Sequence, residues 1–591
     1  MLKKMCGLKG IMALVSTLVM LTAIVTMVTT SMAGPGTNNA SIAWMAIKSP
    51  ISSTIIPERG EVEAPSAKKA IELLATPGEF EPASFVLAAK QNDVPNIRIQ
   101  ASDLISDFGR IVADAVDVRL VKVWYQAGTA WYDIKRSTDE KKLIPELLVK
   151  DDDLIKVDKQ SKTNRVRLST TAGVEHVDVQ LQSDGKKKIL LDAHQFPIMD
   201  AAALQPFTLV SGSNKQVWVT VHVPEDAKAG IYLGTITISS GESVIGTVPL
   251  RLEVLPFRLS DPTVEYSIYY RGILTDAAPT LSSENKTEAQ MCAEFKNMKE
   301  HGISNPTVYQ YSSDTQALAR VLGLRKRCGL STNKNLYYLG FFVDPKEYES
   351  RSVVLQKRLL DITATANANG FIQTYFYGVD EAVGAELVRQ RNAWDFVHQQ
   401  GGKVYVAGKA GTFDVVGGRL DMLVAAGAPV RSEAGRYHAV GGRVFSYANP
   451  QVGVENPFVF RKNYGLVLWQ QDYDGAMPYA YQHSEGSSWN DFDGRYRDHM
   501  FTYPTTDGVI DTLAWEGFRE GVDDVRYLTT LVDRLEELKP CASAAVPFKM
   551  AEQHLGTLKS RPLDKLDDER LAIINLLLNL RDLHCDRKAS R

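Results

Sequence analysis

Apolar residues along this chain fall into two regimes. Between residues 41 and 259 they come as short runs at 85–89, 116–124, 177–181, 216–223, 231–238 and 248–254, rich in β-branched and aromatic side chains and separated by Gly, Pro, Asp and Ser. Such runs predict strands. The stretch Val217-Trp218-Val219-Thr220-Val221-His222-Val223 alternates as a half-covered strand does, with Trp218 and His222 read as packing or surface residues. An antiparallel β-sandwich over residues 41–260 is the economical reading. The character of the chain changes at Asp261-Pro262.

Beyond that point strand-like and helical patterns alternate. Strands are expected at 264–270, 307–311, 336–343, 371–379, 403–407, 422–425, 444–447 and 466–469, the last competing with 476–481. Helices are expected at 287–301, 315–328, 353–368 and 385–399. This repetition predicts a (β/α)8 TIM-type barrel over 261–510, whose chemistry would sit on the loops following the strands. From 511 to 591 the pattern is helical: Leu513, Trp515, Phe518, Val522, Val525, Leu528, Leu531, Val532 and Leu535 recur at helical spacing, with Pro540 expected to end that helix.

Composition narrows the class. The 591 residues are 44% hydrophobic and 23% charged with a net charge of −3, which describes a folded, multidomain chain without the basic stripe that phosphate binding requires. Nucleic acid is therefore not an expected partner. Residues 1–33 read as a signal peptide: Lys3, Lys4 and Lys9 precede an apolar run, and Ser31-Met32-Ala33 resembles a cleavage site. Export is expected, with membrane attachment only where that segment stays uncleaved. Setting Cys6 aside leaves Cys292, Cys328, Cys541 and Cys585, which permit disulfides in any of three connectivities. Neither a C-x-x-C nor an H-E-x-x-H motif occurs, so no metal or other cofactor is expected. The oligomeric state is left open.

The candidate chemistry lies in FIQTYFYGVDE, residues 371–381, where an aromatic strand delivers Asp380 and Glu381 side by side. Adjacent acids often do no more than start a helix, the Asp as cap and the Glu in the first turn. Their place at the end of the fourth expected barrel strand is what points to catalysis. Arg271, Asp344, Lys409, Tyr447 and Asn449 also follow expected strands. Strict alternation would turn Tyr377 away from Asp380, so a tyrosine serving the same substrate is expected from another strand, Tyr447.

GEFEPASFVL (78–87), the strand motifs AGIYLGTITI and VPLRLEVLPF, the Asp380-Glu381 pair, and HMFTYPTTDGVIDTLAWEGFREGVDDVRYLTTL (499–531) together resemble glycoside hydrolase family 123 and its broader relatives. The resemblance spans residues 42–538 and implies a retaining β-N-acetylgalactosaminidase-like enzyme in which the sugar's own acetamido oxygen attacks the anomeric carbon. It implies that Asp380 orients and polarises the acetamido group, while Glu381 protonates the leaving oxygen and then serves as base for water. Trp469, Tyr473, Trp489 and Tyr481 are candidates to stack on the sugar, with Asp472, Asp474 and Glu485 to meet hydroxyls or to supply a nucleophile in a two-carboxylate alternative. A binding protein without activity is the reading from another class. Arg519, Glu520, Asp523, Asp524, Arg526 and Tyr527 read as a charged helix face locked to the barrel.

Overall fold

The β-rich half forms two large sheets around a shared core. The computed structural model describes residues 42–47, 49–51, 70–130, 134–171, 173–182 and 197–585; the expected signal peptide at 1–33 lies outside them. One sheet runs Ile42–Ile47, Phe80–Ala89, Asn214–His222, Val116–Gln126, Lys142–Val149, antiparallel throughout. The other is built on Phe207–Leu209, Val94–Ala101, Gly230–Ser240, Ser243–Val254 and Ile71–Ala75, and its last pair is parallel rather than antiparallel. Val217, Val219 and Val221 point inward with Ile236, Ile238, Leu250 and Leu252 from the opposite sheet. Each such side chain contributes roughly 1.5 to 3 kcal/mol by leaving water.

The other face of the Asn214–His222 strand is covered too. Trp218 is buried against Leu513, and its indole N–H donates to Glu516 Oε2 at 3.2 Å. Both residues belong to the Leu513–Ala542 helix, capped by Thr512, whose hydroxyl accepts from Trp515 N–H. The helix passes through Pro540 instead of ending there.

A seven-stranded parallel sheet forms the second core. Its order is Glu265–Tyr266, Gly475–Ala476, Arg443–Tyr447, Met422–Ala426, Lys403–Gly408, Thr374–Tyr377, Leu336–Phe342. The strand expected at 307–311 is reduced to an isolated bridge between Val308 and Tyr338. That segment still links the two edge strands, since Thr307 N–H donates to Ile268 O at 3.0 Å and Val308 N–H to Tyr337 O at 2.9 Å.

The strand expected at 466–469 is instead the helix Leu466–Gln470, and the sheet position belongs to Gly475–Ala476 at the start of the competing stretch. A four-residue apolar run fits either element, and here the backbone closes helical turns, Leu468 N–H on Gly465 O and Gln471 N–H on Val467 O, both at 3.0 Å. Gly475 fits because a Cβ there would lie 2.5 Å from the Phe445 ring.

Helices Leu513–Ala542, Val546–Leu558 and Leu566–Leu580 follow the parallel sheet. The charged face of the first is locked in by buried ion pairs: Arg461 to Asp524 at 2.7 Å, Arg570 to Asp524 at 2.6 Å and Arg570 to Glu520 at 2.7 Å. Tyr527 donates to Glu79 of the β-rich half at 2.8 Å. The cysteines pair as Cys292–Cys328 and Cys541–Cys585. No helix among the described residues is long and apolar enough to cross a membrane.

Candidate active site

The fourth expected barrel strand ends in an irregularity that sets the whole site. In a parallel ladder the N–H groups of every second residue reach successive carbonyls of the neighbouring strand. Gly378 N–H donates to Tyr405 O at 3.0 Å, so Asp380 would be the next donor, yet Glu381 N–H takes Ala407 O at 3.1 Å. One extra residue is thus inserted, a β-bulge. Glu381 absorbs it at φ 47°, in the left-handed region that few side chains adopt.

The displaced N–H of Val379 is caught by Gln390 Oε1 at 2.7 Å, from the helix Gly384–Gln399. Gly378 lies so close that a Cβ would sit 2.9 Å from Gln390 Oε1 and 3.0 Å from the Trp394 ring.

The inserted residue reverses the alternation. Tyr377, expected to face away, donates its hydroxyl to Asp380 Oδ1 at 2.6 Å. The same hydroxyl meets Tyr269 Oη at 2.9 Å and accepts from Ala407 N–H at 3.1 Å. Glu381 is held separately: Tyr447 donates to Oε1 at 3.2 Å and the half-exposed Lys409 pairs with Oε2 at 3.0 Å. Gln451 in turn donates to Tyr447 Oη at 2.6 Å. The two carboxylates therefore have different partners although they are neighbours in sequence.

The electrostatics differ from those of a surface turn. Asp380 opens into the cavity but is hemmed in by protein, and the lost hydration, with Glu381 beside it, pushes its carboxyl upward against the pull of Tyr377 and Lys409. Burial pushes the phenols of Tyr269 and Tyr377 well up, so both stay neutral donors. Burial also lowers His499 to about 4, with Arg271 adding to the shift.

These groups line a cavity of about 480 Å³. Asp380, Glu381, Tyr447 and Glu485 are in its wall, as is Arg271, whose guanidinium donates to Tyr479 Oη at 2.9 Å. Sequence reasoning did not find Tyr269, Tyr309, Tyr479, Gln451, His483 or His499, which also line it. The aromatic ends of the strands carry part of that signal; the two histidines face each other in a two-residue antiparallel pair, Gln482–His483 against His499–Met500, and carry none. The β-rich half shapes one wall: Thr129 N–H donates to Arg495 O and Arg497 N–H to Thr129 O, while Gly128 lies where a Cβ would come within 2.9 Å of Arg497 N.

Six expected sugar contacts lie elsewhere. Trp469, Asp472 and Tyr473 precede the Gly475–Ala476 strand and so sit at the opposite end of the sheet from Asp380. Tyr473 Oη accepts from Val430 N–H, and Lys559 lies over the Trp469 ring. Trp489 is core, edge-on to Trp124 at 6.2 Å and donating to Pro504 O at 3.0 Å. Tyr481 is buried, donating to Asn297, and Asp474 is bound to His438 at 2.9 Å.

A second cavity of about 300 Å³ lies against Phe80, His222 and the Leu513–Ala542 helix, where His301, Asp511 and Glu516 bring ligand atoms within 4.8 Å of one another. Arg119 and Asn297 each hold an Asp511 oxygen at 2.7 Å. Trp218, His301 and Arg519 hold Glu516. Despite burial, Arg519 and His301 lower Glu516 to about 2. These carboxylates are already compensated by cationic neighbours, which is a poor setting for a metal ion.

A parallel sheet carrying a polar, aromatic cavity on the loops after its strands is the arrangement of many carbohydrate-active and other barrel enzymes. No family model matches the sequence, and no curated protein matches it. Among solved structures, the chain shares its fold with a family 123 glycoside hydrolase from Clostridium perfringens, studied for glycolipid glycan hydrolysis: TM-score 0.59 at 11% identity, over 91% of this chain and 99% of that one. A family 39 glycoside hydrolase from Bacteroides cellulosilyticus gives a TM-score of 0.30 at 9% identity over 55% of this chain and 75% of that one. A Bacteroides ovatus GH5 xyloglucanase gives 0.29 at 8% over 77% and 99%.

Proposed function

We propose that the protein is an exported retaining glycoside hydrolase that cleaves β-linked N-acetylhexosaminides, of the GalNAc type, with the substrate's 2-acetamido group as nucleophile. The observation that carries this is the separately held carboxylate pair, Asp380 on Tyr377 and Glu381 on Tyr447, opening into one cavity after a strand of the parallel sheet. The fold shared with a family 123 glycoside hydrolase supports it. The seven parallel strands, with Thr307 and Val308 hydrogen-bonded to Ile268 and Tyr337 at the sheet's two edges, support reading the catalytic region as a (β/α)8 barrel. Export rests on the charge and apolar pattern of residues 1–33.

In the reaction the acetamido carbonyl oxygen attacks C1 as the C1–O bond to the leaving group breaks, and Glu381 supplies the proton to that oxygen. Ionised Asp380 accepts a hydrogen bond from the amide N–H and stabilises the positive oxazolinium ring. Water then attacks C1 as the C1–O bond of the oxazolinium ring breaks and the acetamido group is restored; the water's proton passes to Glu381, and the configuration is retained. The scheme draws on these side chains and the substrate's own amide.

The test is hydrolysis of a panel of aryl 2-acetamido-2-deoxy-β-glycosides by the chain from residue 34 onward, with inhibition by a thiazoline analogue of the intermediate. Glu381→Gln and Asp380→Asn should each lower kcat by roughly 10²- to 10⁴-fold. Absence of cleavage of every acetamido glycoside would overturn the reading, and full activity in Glu381→Gln would overturn the assignment. Glu485 is another carboxylate in the same cavity. Cleavage of neutral glycosides, thiazoline resistance and loss of activity in Glu485→Gln would together replace this scheme by a two-carboxylate one.

A further inference from the structure

Tyr377 links the site to the neighbouring strand at a single oxygen. That oxygen receives Ala407 N–H at 3.1 Å, meets Tyr269 Oη at 2.9 Å and contacts Asp380 Oδ1 at 2.6 Å. A phenol has one proton to give and lone pairs for two donors. An ionised Asp380 only accepts, so the Tyr377 proton points to Oδ1 and the Tyr269 proton to Tyr377. Two donors on its oxygen make Tyr377 a stronger donor in turn. Tyr269 and Tyr377 are each 2% exposed and cross edge-on at 6.2 Å, so neither ring has room to swing away. Among the described residues, Oδ1 is the Asp380 oxygen that is hydrogen-bonded, and Oδ2 is left to the cavity.

We propose that Tyr377 is a positioning residue: by taking Oδ1 it fixes the orientation of the Asp380 carboxylate and reserves Oδ2 for the amide N–H of a 2-acetamido sugar. The substrate part of this inference rests on the proposed function; the positioning of Asp380 does not. Tyr269 acts one step further out, by setting the direction of the Tyr377 proton. Ala407 ties both members of the pair to one residue, its N–H donating to Tyr377 and its C=O accepting the Glu381 N–H. The titratable groups that face Asp380 are Glu381 and Lys409, together with the phenols of Tyr269, Tyr309, Tyr377, Tyr447 and Tyr479.

The decisive variant is Tyr377→Phe, which keeps the ring and deletes the donor. Loss of a hydrogen bond to the charged form favours the protonated acid. The acid limb of the kcat/KM profile should therefore move to higher pH, kcat should fall roughly tenfold to a hundredfold, and thiazoline should bind more weakly by a similar factor. Tyr269→Phe should do the same to a smaller extent. A role confined to packing would lower the melting temperature and leave the acid limb where it was.

The second readout needs no turnover: carboxyl ¹³C NMR of Asp380, assigned by the signal missing in Asp380→Asn, should titrate at higher pH in Tyr377→Phe than in the wild type. An unmoved titration and an unmoved acid limb overturn the proposal. If the wild type cleaves no 2-acetamido glycoside, the proposed function fails, and the NMR titration still decides whether Tyr377 positions Asp380. If Tyr377→Phe does not fold, Tyr269→Phe carries the same comparison with the same two outcomes.

Discussion

Replacing Gln390 by Met tests whether the bulge beneath the carboxylates, rather than their mere presence, makes the site. Gln390 is fully buried, and its Oε1 accepts the Val379 N–H at 2.7 Å, while its Nε2 has no hydrogen-bond partner among the described residues. Methionine has nearly the same length and volume, so packing against Gly378 and Trp394 is kept. Loss of the acceptor costs about 1 to 3 kcal/mol, because a half-buried donor is left unmade. Removing the unpartnered amide N–H₂ returns about 1 kcal/mol by the same reasoning. The net is a destabilisation of roughly 0 to 2 kcal/mol, a small movement of the urea midpoint.

Activity should respond out of proportion. With Val379 released, the extra residue has no anchor, and relaxation toward the regular ladder would give the Ala407 carbonyl to Asp380 in place of Glu381. A displacement of about 1 Å at a reacting group costs on the order of 10²-fold. The expected outcome is a fall in kcat of at least about tenfold with the folded state intact, measured as aryl glycoside hydrolysis beside urea unfolding of the same preparations. Unchanged kcat in Gln390→Met would refute the claim that the bulge sets the pair.

Two further outcomes test stability. Removing the Cys292–Cys328 bridge with a double Cys→Ala variant reopens a loop with a sequence separation of 36, and the loss of unfolding free energy should be roughly 4 kcal/mol by the loop-entropy estimate; a loss below about 1 kcal/mol would argue that the unfolded chain is already constrained there. His499 titrates at about 4 in the fold against 6.5 for the free side chain, because burial favours its neutral form. Its contribution is therefore complete above pH 6.5 and is lost as pH falls through that window toward 4, by up to about 3 kcal/mol. Urea unfolding at pH 7 and pH 5 should show His499→Gln losing less stability on acidification than the wild type, and equal losses would sink the assignment.

The strand carrying Asp380 and Glu381 was legible because its signal is local: a run of apolar and aromatic side chains followed by Gly and two acids. The features that organise the site around it are not local. The bulge depends on Gln390, eleven residues further along and on the next helix. It shifts the side-chain parity by one, so a sound rule of alternation gave the wrong face for Tyr377. A similar cause misplaced the aromatic candidates near residue 470. The sheet position there is two residues long and is selected by contact of Gly475 with the Phe445 ring, not by any β-forming run.

Reading residues 466–469 as that strand put Trp469 at its end and Asp472 and Tyr473 after it, on the side of the chemistry. The observed helix puts them before the strand, at the far end of the sheet. A local error of fewer than ten residues in one strand therefore exchanged one mouth of the sheet for the other. In a fold whose chemistry is confined to one end of its strands, the order of residue and strand carries more functional information than the residue type, and aromatic composition alone carries little: Trp489, an expected sugar platform, packs against Trp124 and Tyr503 in the core of the β-rich half.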